Sequence, residues 1–139
     1  MNRLFSPISF LLLSVLISAC SDDSVDLNCE TVKCEDSIGL ISIKIVDNNG
    51  DPVLLDDYYS FIDSRTRFQE TQKDYAIRPG WYPVATNEQY DLFNPEGTIL
   101  TFVGIVNERN VVEHQMLMGK DCCSIELLTG DTEIVIKNE

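Results

Sequence analysis

The chain has 139 residues, and its 23 Asp and Glu against 10 Lys and Arg give a formal net charge of −13. Nucleic-acid binding and electrostatic docking to anionic lipid both need basic surfaces, so this composition argues against both. The length allows one domain with a hydrophobic core and is too short for two.

The first twenty residues have the organisation of an export signal that ends in a cysteine. Arg3 gives a positive start, residues 4–17 form an apolar run too short to span a bilayer comfortably, and small residues precede Cys20. The segment 17–20, with the sequence ISAC, resembles the lipobox of bacterial lipoproteins. The resemblance implies cleavage after residue 19 and acylation of Cys20, which would anchor the mature protein to a lipid bilayer. An ordinary secretory signal or an uncleaved anchor is the alternative.

An acidic stretch, residues 21–26, follows this cysteine. It resembles the export tract of surface lipoproteins of the Bacteroidota, which implies the outer membrane and favours its cell surface over its periplasmic face. The alternative is a solvated tether that holds the folded domain away from the headgroups. We predict a signal peptide over residues 1–19, a lipidated acidic tether over 20–37 and a folded domain over 38–139. Only Arg3 among the charged residues is lost with the leader, so the mature chain carries 9 basic against 23 acidic residues, a charge of −14.

Four further cysteines form an even set: Cys29, Cys34, Cys122 and Cys123. Outside the cytosol such a set is expected to form disulfides. Of the three connectivities, one needs a strained bridge between the adjacent Cys122 and Cys123. The two that join the early pair to the late pair close loops of about 90 residues and are preferred, and the choice between them stays open. A zinc site built from the four thiolates is the competing interpretation.

Apolar and polar residues alternate with a period of two through the rest of the chain. Ile41, Ile43 and Ile45 alternate with Ser42 and Lys44, as expected for a strand with one buried face. Further strands are predicted at residues 58–62, 74–77, 81–85, 99–106, 110–118, 122–128 and 133–136, with turn residues between them. The predicted fold class is all-β: after a helical signal peptide, an antiparallel β-sandwich of seven or eight short strands, with Greek-key or transthyretin-like connections.

The first strand and its turn also suggest a family. Residues 41–53, with the sequence ISIKIVDNNGDPV, resemble the opening of carboxypeptidase-regulatory-like and related transthyretin-like sandwich domains. In those domains a strand leads through an Asp/Asn-Gly-x-Pro turn into a second strand. The resemblance implies a binding, spacer or accessory module rather than an enzyme.

Motifs for catalysis or metal binding are incomplete in this sequence. Asp47, Asn49 and Asp51 alternate like the first ligands of a calcium loop, but Pro52 stands where that loop needs glycine, so a hairpin turn is predicted. His114 is the single histidine, which excludes a zincin motif and predicts a strand residue at the sheet surface or in the core. There is no Gly-x-Ser-x-Gly motif and no phosphate-binding glycine loop. We therefore predict no catalytic residue, no metal site and no cofactor.

The aromatic pair Trp81 and Tyr82 is the candidate for ligand binding, because exposed aromatic rings stack on sugars or grip peptides. Packing of both rings in the core is the alternative. The predicted function is a non-catalytic binding or accessory module of the cell envelope, with an envelope protein or a glycan as its partner. A small envelope hydrolase or metal-dependent enzyme, and a purely structural envelope protein, are the alternatives.

Overall fold

A computed structural model describes residues 27–35, 38–70 and 78–137. The predicted signal peptide, Cys20, the acidic stretch and the predicted strand at residues 74–77 lie outside these ranges. Within them, none of the helical segments has the length and hydrophobicity that a bilayer span requires.

The described residues form an all-β sandwich of two sheets, as the alternating pattern predicts. One sheet has three strands in the order β4-β1-β8, and the other has five in the order β3-β2-β5-β6-β7. The strands are β1 (Ile41–Asp47), β2 (Asp57–Phe61), β3 (Arg67–Phe68), β4 (Trp81–Ala85), β5 (Thr98–Val106), β6 (Arg109–Lys120), β7 (Ile125–Thr129) and β8 (Glu133–Ile136).

Most strand predictions are confirmed to within two residues at each end. The strand expected at residues 122–128 begins later, at Ile125, because the two cysteines before it lie in a turn. In that turn Asp121 accepts hydrogen bonds from the backbone N–H groups of Cys123 and Ser124, at 2.7 and 2.8 Å. These bonds hold the pKa of Asp121 below its usual value. Two elements were not predicted: β3, and a 3₁₀ helix at Asn87–Leu92 with a capping box.

The predicted antiparallel sandwich is confirmed, with the exception of one pair of strands. β8 runs parallel to β1, with Ile45 opposite Ile134 and Val46 opposite Val135. The reason is the path of the chain, which passes from the five-stranded sheet to the three-stranded one between β7 and β8. β8 therefore enters beside β1 in the same direction, as the last strand of its sheet.

The inner faces of the two sheets share one hydrophobic core. Side chains of Ile43 and Ile45 from β1 contribute to it from the small sheet, and Phe102 and Met116 contribute from the large one; all are fully or almost fully buried. Burial of this apolar surface is the main stabilising contribution in a domain of this size. The alternation of apolar and polar residues in the sequence thus matches the alternation of buried and exposed side chains along the strands.

The turn predicted after β1 is confirmed. Asp47 Oδ1 accepts hydrogen bonds from the N–H groups of Asn49 and Asp51, and Gly50 has a φ of 86°. That left-handed conformation is easily adopted by glycine. The carboxylate of Asp47 is therefore used to close the turn.

Two disulfides attach the N-terminal segment to the end of the sandwich. Cys29 is bonded to Cys122, and Cys34 to Cys123. The predicted linkage between the early and late pairs is confirmed, and the structure selects one of the two connectivities left open. Residues 29–34 are consequently fixed to the folded domain, although the sequence assigned them to the tether.

Candidate functional site

The two residues of the aromatic pair point to opposite faces of the small sheet. Tyr82 is only 8% exposed and lies in the core, where its ring contacts Tyr58 edge to face at 5.3 Å. Its hydroxyl donates to Val53 O at 2.8 Å and accepts from Leu55 N at 2.7 Å. Burial raises the pKa of Tyr82. The ring of Tyr82 packs against Tyr58, and its hydroxyl is hydrogen-bonded within the protein. Tyr82 is therefore a core residue, as the alternative to ligand binding predicts.

Trp81 is 36% exposed and belongs to the outer face of the small sheet. In the strand register it lies opposite Lys44, which in turn lies opposite Glu133. Lys44 Nζ and Glu133 Oε2 are 2.8 Å apart in an exposed ion pair, which adds little stability. Of the predicted aromatic pair, only the indole of Trp81 is available at the surface, where it lies next to the ion pair of Lys44 and Glu133.

A second candidate surface is an open groove between β6 and β8 that the sequence did not reveal. Its volume is about 980 Å³, and it lies where the first half of β6 extends beyond its pairing with β7. One side is formed by Ile134 and Val135 of β8, and the other by Val111 and Val112 of β6. The exposed side chain of Leu54 completes its apolar lining. An open groove lined by both apolar and polar side chains suits a polypeptide or another extended ligand.

Basic side chains line this groove in a protein that is otherwise strongly acidic. Arg109 and Lys137 line it, while Glu113 is the acidic residue among its lining side chains. His114 lines it as well, and its Nε2 lies 3.1 Å from the carbonyl oxygen of Asp131. The predicted position of His114 in a strand is confirmed: it stands opposite Phe102 in the β5–β6 ladder. The groove lining therefore combines basic, acidic and apolar side chains.

The rim of the groove includes a tight turn between β5 and β6. Asn107 and Glu108 have φ values of 50° and 63°, the left-handed conformation of a two-residue hairpin. Asp56 Oδ2 accepts a hydrogen bond from Asn107 N at 2.6 Å, which fixes the turn to the start of β2. A turn held in this way gives the groove a defined edge.

The groove and the disulfides occupy opposite ends of the sandwich. β6 starts at the hairpin with Arg109 and ends at Lys120, next to the bridged turn. Its twelve residues span about 37 Å at the usual rise of a strand. The N-terminal segment therefore joins the domain at one end, and the groove begins at the other.

The described ranges contain no group of three or more His, Cys, Asp or Glu side chains placed to hold a metal ion. The four cysteines considered for zinc are all consumed in disulfides. A thiolate zinc site is therefore excluded as long as the bridges are intact.

Comparison with protein-family models, with curated proteins and with solved structures finds no match. The resemblances to lipoproteins and to carboxypeptidase-regulatory-like domains stay predictions from the sequence.

Proposed function

We propose that this protein is a lipoprotein of the bacterial outer membrane, held in the bilayer by acylated Cys20, and that it acts as a non-catalytic binding module. Its partner is an envelope protein that occupies the groove between β6 and β8. The proposal rests on one observation: the bridged turn and the groove lie at opposite ends of the domain. A chain anchored upstream of Cys29 is attached beside the bridged turn, and the groove then faces away from the membrane.

The anchoring part of the proposal is supported by the lipobox and by the bridges. A chain cleaved at residue 19 keeps eight residues between Cys20 and Cys29. Even fully extended, this stretch would reach about 30 Å, so the domain would stay close to the headgroups. Disulfides form and persist in oxidising compartments, which agrees with export.

We expect the mature protein to begin at a Cys20 that carries two or three acyl chains. Several chains hold a protein in the bilayer almost irreversibly, because each buried methylene contributes about 0.8 kcal/mol. Mass spectrometry of the membrane-extracted protein checks this. Cys20→Ala should release the protein or leave the leader uncut, whereas Ser21→Ala is the matched control that should change neither. A soluble mature form of the native sequence with an unmodified Cys20 would contradict the proposal.

The recognition part is tested with a photo-cross-linking side chain at Leu54, in the groove. The matched control places the same side chain at Leu128, which is also exposed but lies in β7 and does not line the groove. We expect one defined protein adduct from Leu54 in intact cells and none from Leu128. Arg109→Glu should then reduce the Leu54 adduct, since it reverses the charge at the groove.

Equal adducts from both sites would contradict a specific groove. Loss of binding to envelope glycans in Arg109→Glu, with no protein adduct, would favour the glycan alternative. Turnover of a peptide, ester or glycoside that His114→Ala abolishes in a folded protein would establish the hydrolase alternative instead.

A further inference from the structure

β8 leaves one edge of the small sheet open among the described residues. On its other side, Lys44 N donates to Thr132 O at 2.8 Å, and Lys44 stands opposite Glu133 in the parallel register. This register directs the peptide groups of Ile134 towards β1. Because alternate peptide groups of a strand point in opposite directions, those of Glu133 and Val135 face the open edge. An edge of this kind is a template for pairing with another strand.

The charges of this edge strand complement those of a second, identical strand that runs in the opposite direction. Residues 133–137 read EIVIK, with an acidic residue at the start, a basic one at the end and Val135 in the centre. Glu133, Val135 and Lys137 are exposed, and the side chain of Val135 is 56% exposed. The two isoleucines between them are partly buried against the core.

We propose that a second copy of this chain pairs with β8 of the first, antiparallel, about a two-fold axis at Val135. In this register Glu133 of each copy lies opposite Lys137 of the other, so both charge pairs are satisfied at once. Val135 lies opposite its own counterpart, where the two residues exchange two N–H···O bonds. The result is a continuous six-stranded sheet with a closed, isologous interface.

Charge complementarity selects this arrangement over other occupants of the edge. A parallel pairing in register would place Glu133 against Glu133 and Lys137 against Lys137, which is unfavourable. In the antiparallel pair, Glu133 receives Lys137 of the second copy on one side and keeps Lys44 on the other. An unrelated peptide would need the same charge order, and the chain itself supplies it.

This proposal does not depend on the anchor or on the partner of the groove. Since Val135 and Lys137 also line the groove, a second copy paired with β8 would compete with the partner of the groove for these residues.

Charge reversal tests the register. Each of the single variants Glu133→Lys and Lys137→Glu creates two like-charge pairs in a homodimer, and we expect the dissociation constant to rise about tenfold. Co-expressed with different tags, the two variants should associate with each other, because both charge pairs are then restored. Light scattering and tag capture on the full chain in mild detergent measure this. Failure of the mixed pair to associate better than either single variant would overturn the register.

Cysteine cross-linking tests the axis in intact cells. Val135→Cys should give a disulfide-linked dimer, since Cα atoms of paired strands lie within the range of a disulfide. Ile99→Cys is the matched control: it is 59% exposed and also lies in a strand, but in β5, which is paired on both sides. Equal dimer from both variants, or peptide maps that lack a bridge between the two cysteines introduced at position 135, would reject the proposal.

A backbone variant tests the hydrogen bonds. The N–H of Val135 points to the open edge, so Val135→Pro removes a donor to the second copy and leaves the donors to β1. We expect a folded monomer. A stable wild-type monomer at every concentration tested would overturn the proposal whatever this variant does.

Discussion

Replacing all four bridging cysteines with alanine is expected to lower the free energy of unfolding by about 7 kcal/mol, whereas removing either bridge alone costs about 2 to 3 kcal/mol. The bridges join residues 93 and 89 positions apart. The first bridge to form closes a loop of about 90 residues, which in the chain-entropy account contributes about 4.7 kcal/mol. The second closes only a short ring through residues 29–34 and 122–123.

The two single-bridge variants are Cys29→Ala with Cys122→Ala, and Cys34→Ala with Cys123→Ala. Each keeps one long loop closed, so they should resemble each other and both remain folded. The fourfold variant loses an amount comparable to the whole stability of many domains. Urea unfolding followed by the fluorescence of the single tryptophan measures all three.

Strictly additive losses in the fourfold variant would contradict the nested-loop account. Such a result would mean that each bridge acts through local contacts with the turn rather than through the entropy of the unfolded chain.

Phe102→Ala is expected to cost about 3 to 5 kcal/mol, the second large effect. Phe102 is fully buried in β5, and its ring stacks on Tyr58 with centroids 5.9 Å apart. Truncation removes these contacts and leaves a cavity that the paired strands on both sides cannot easily close. Thermal or urea unfolding gives the loss directly.

Ile99→Ala is the control for this prediction. It lies in the same strand, but most of its side chain is already in water, so its loss should be well below that of Phe102→Ala. A similar loss for both variants would indicate that the strand, rather than the core contact, determines the stability.

The sequence predicted those parts of the fold that depend on local alternation. Ile41 to Ile45 repeat with a period of two, and the structure buries Ile43 and Ile45 on one face. β3 escaped prediction because two residues are too few to show a period. The 3₁₀ helix was missed although Thr86 and Gln89, which form its capping box, are visible in the sequence. The direction of β8 depends on a crossing between sheets that no local pattern records.

The candidate site was much less predictable. Trp81 and Tyr82 are adjacent, and adjacent side chains of a strand point to opposite faces of the sheet. The two rings therefore cannot form one binding surface. The groove joins Leu54, Arg109 and Val135, which are far apart in the chain. No local pattern in the sequence links these three residues, because strand pairing and sheet packing bring them together.

The bridge at Cys29 also determines how the domain bears mechanical load. A pull on the chain upstream of Cys29 passes through sulfur to Cys122 and reaches the end of β6 before it reaches β1. β6 is bonded along its length to β5, so a force along its axis loads many hydrogen bonds in shear at the same time. Without the bridges the same force would reach β1 first, because β1 is the first strand of the chain. The disulfides thus move the point where the load enters from the small sheet to the large one.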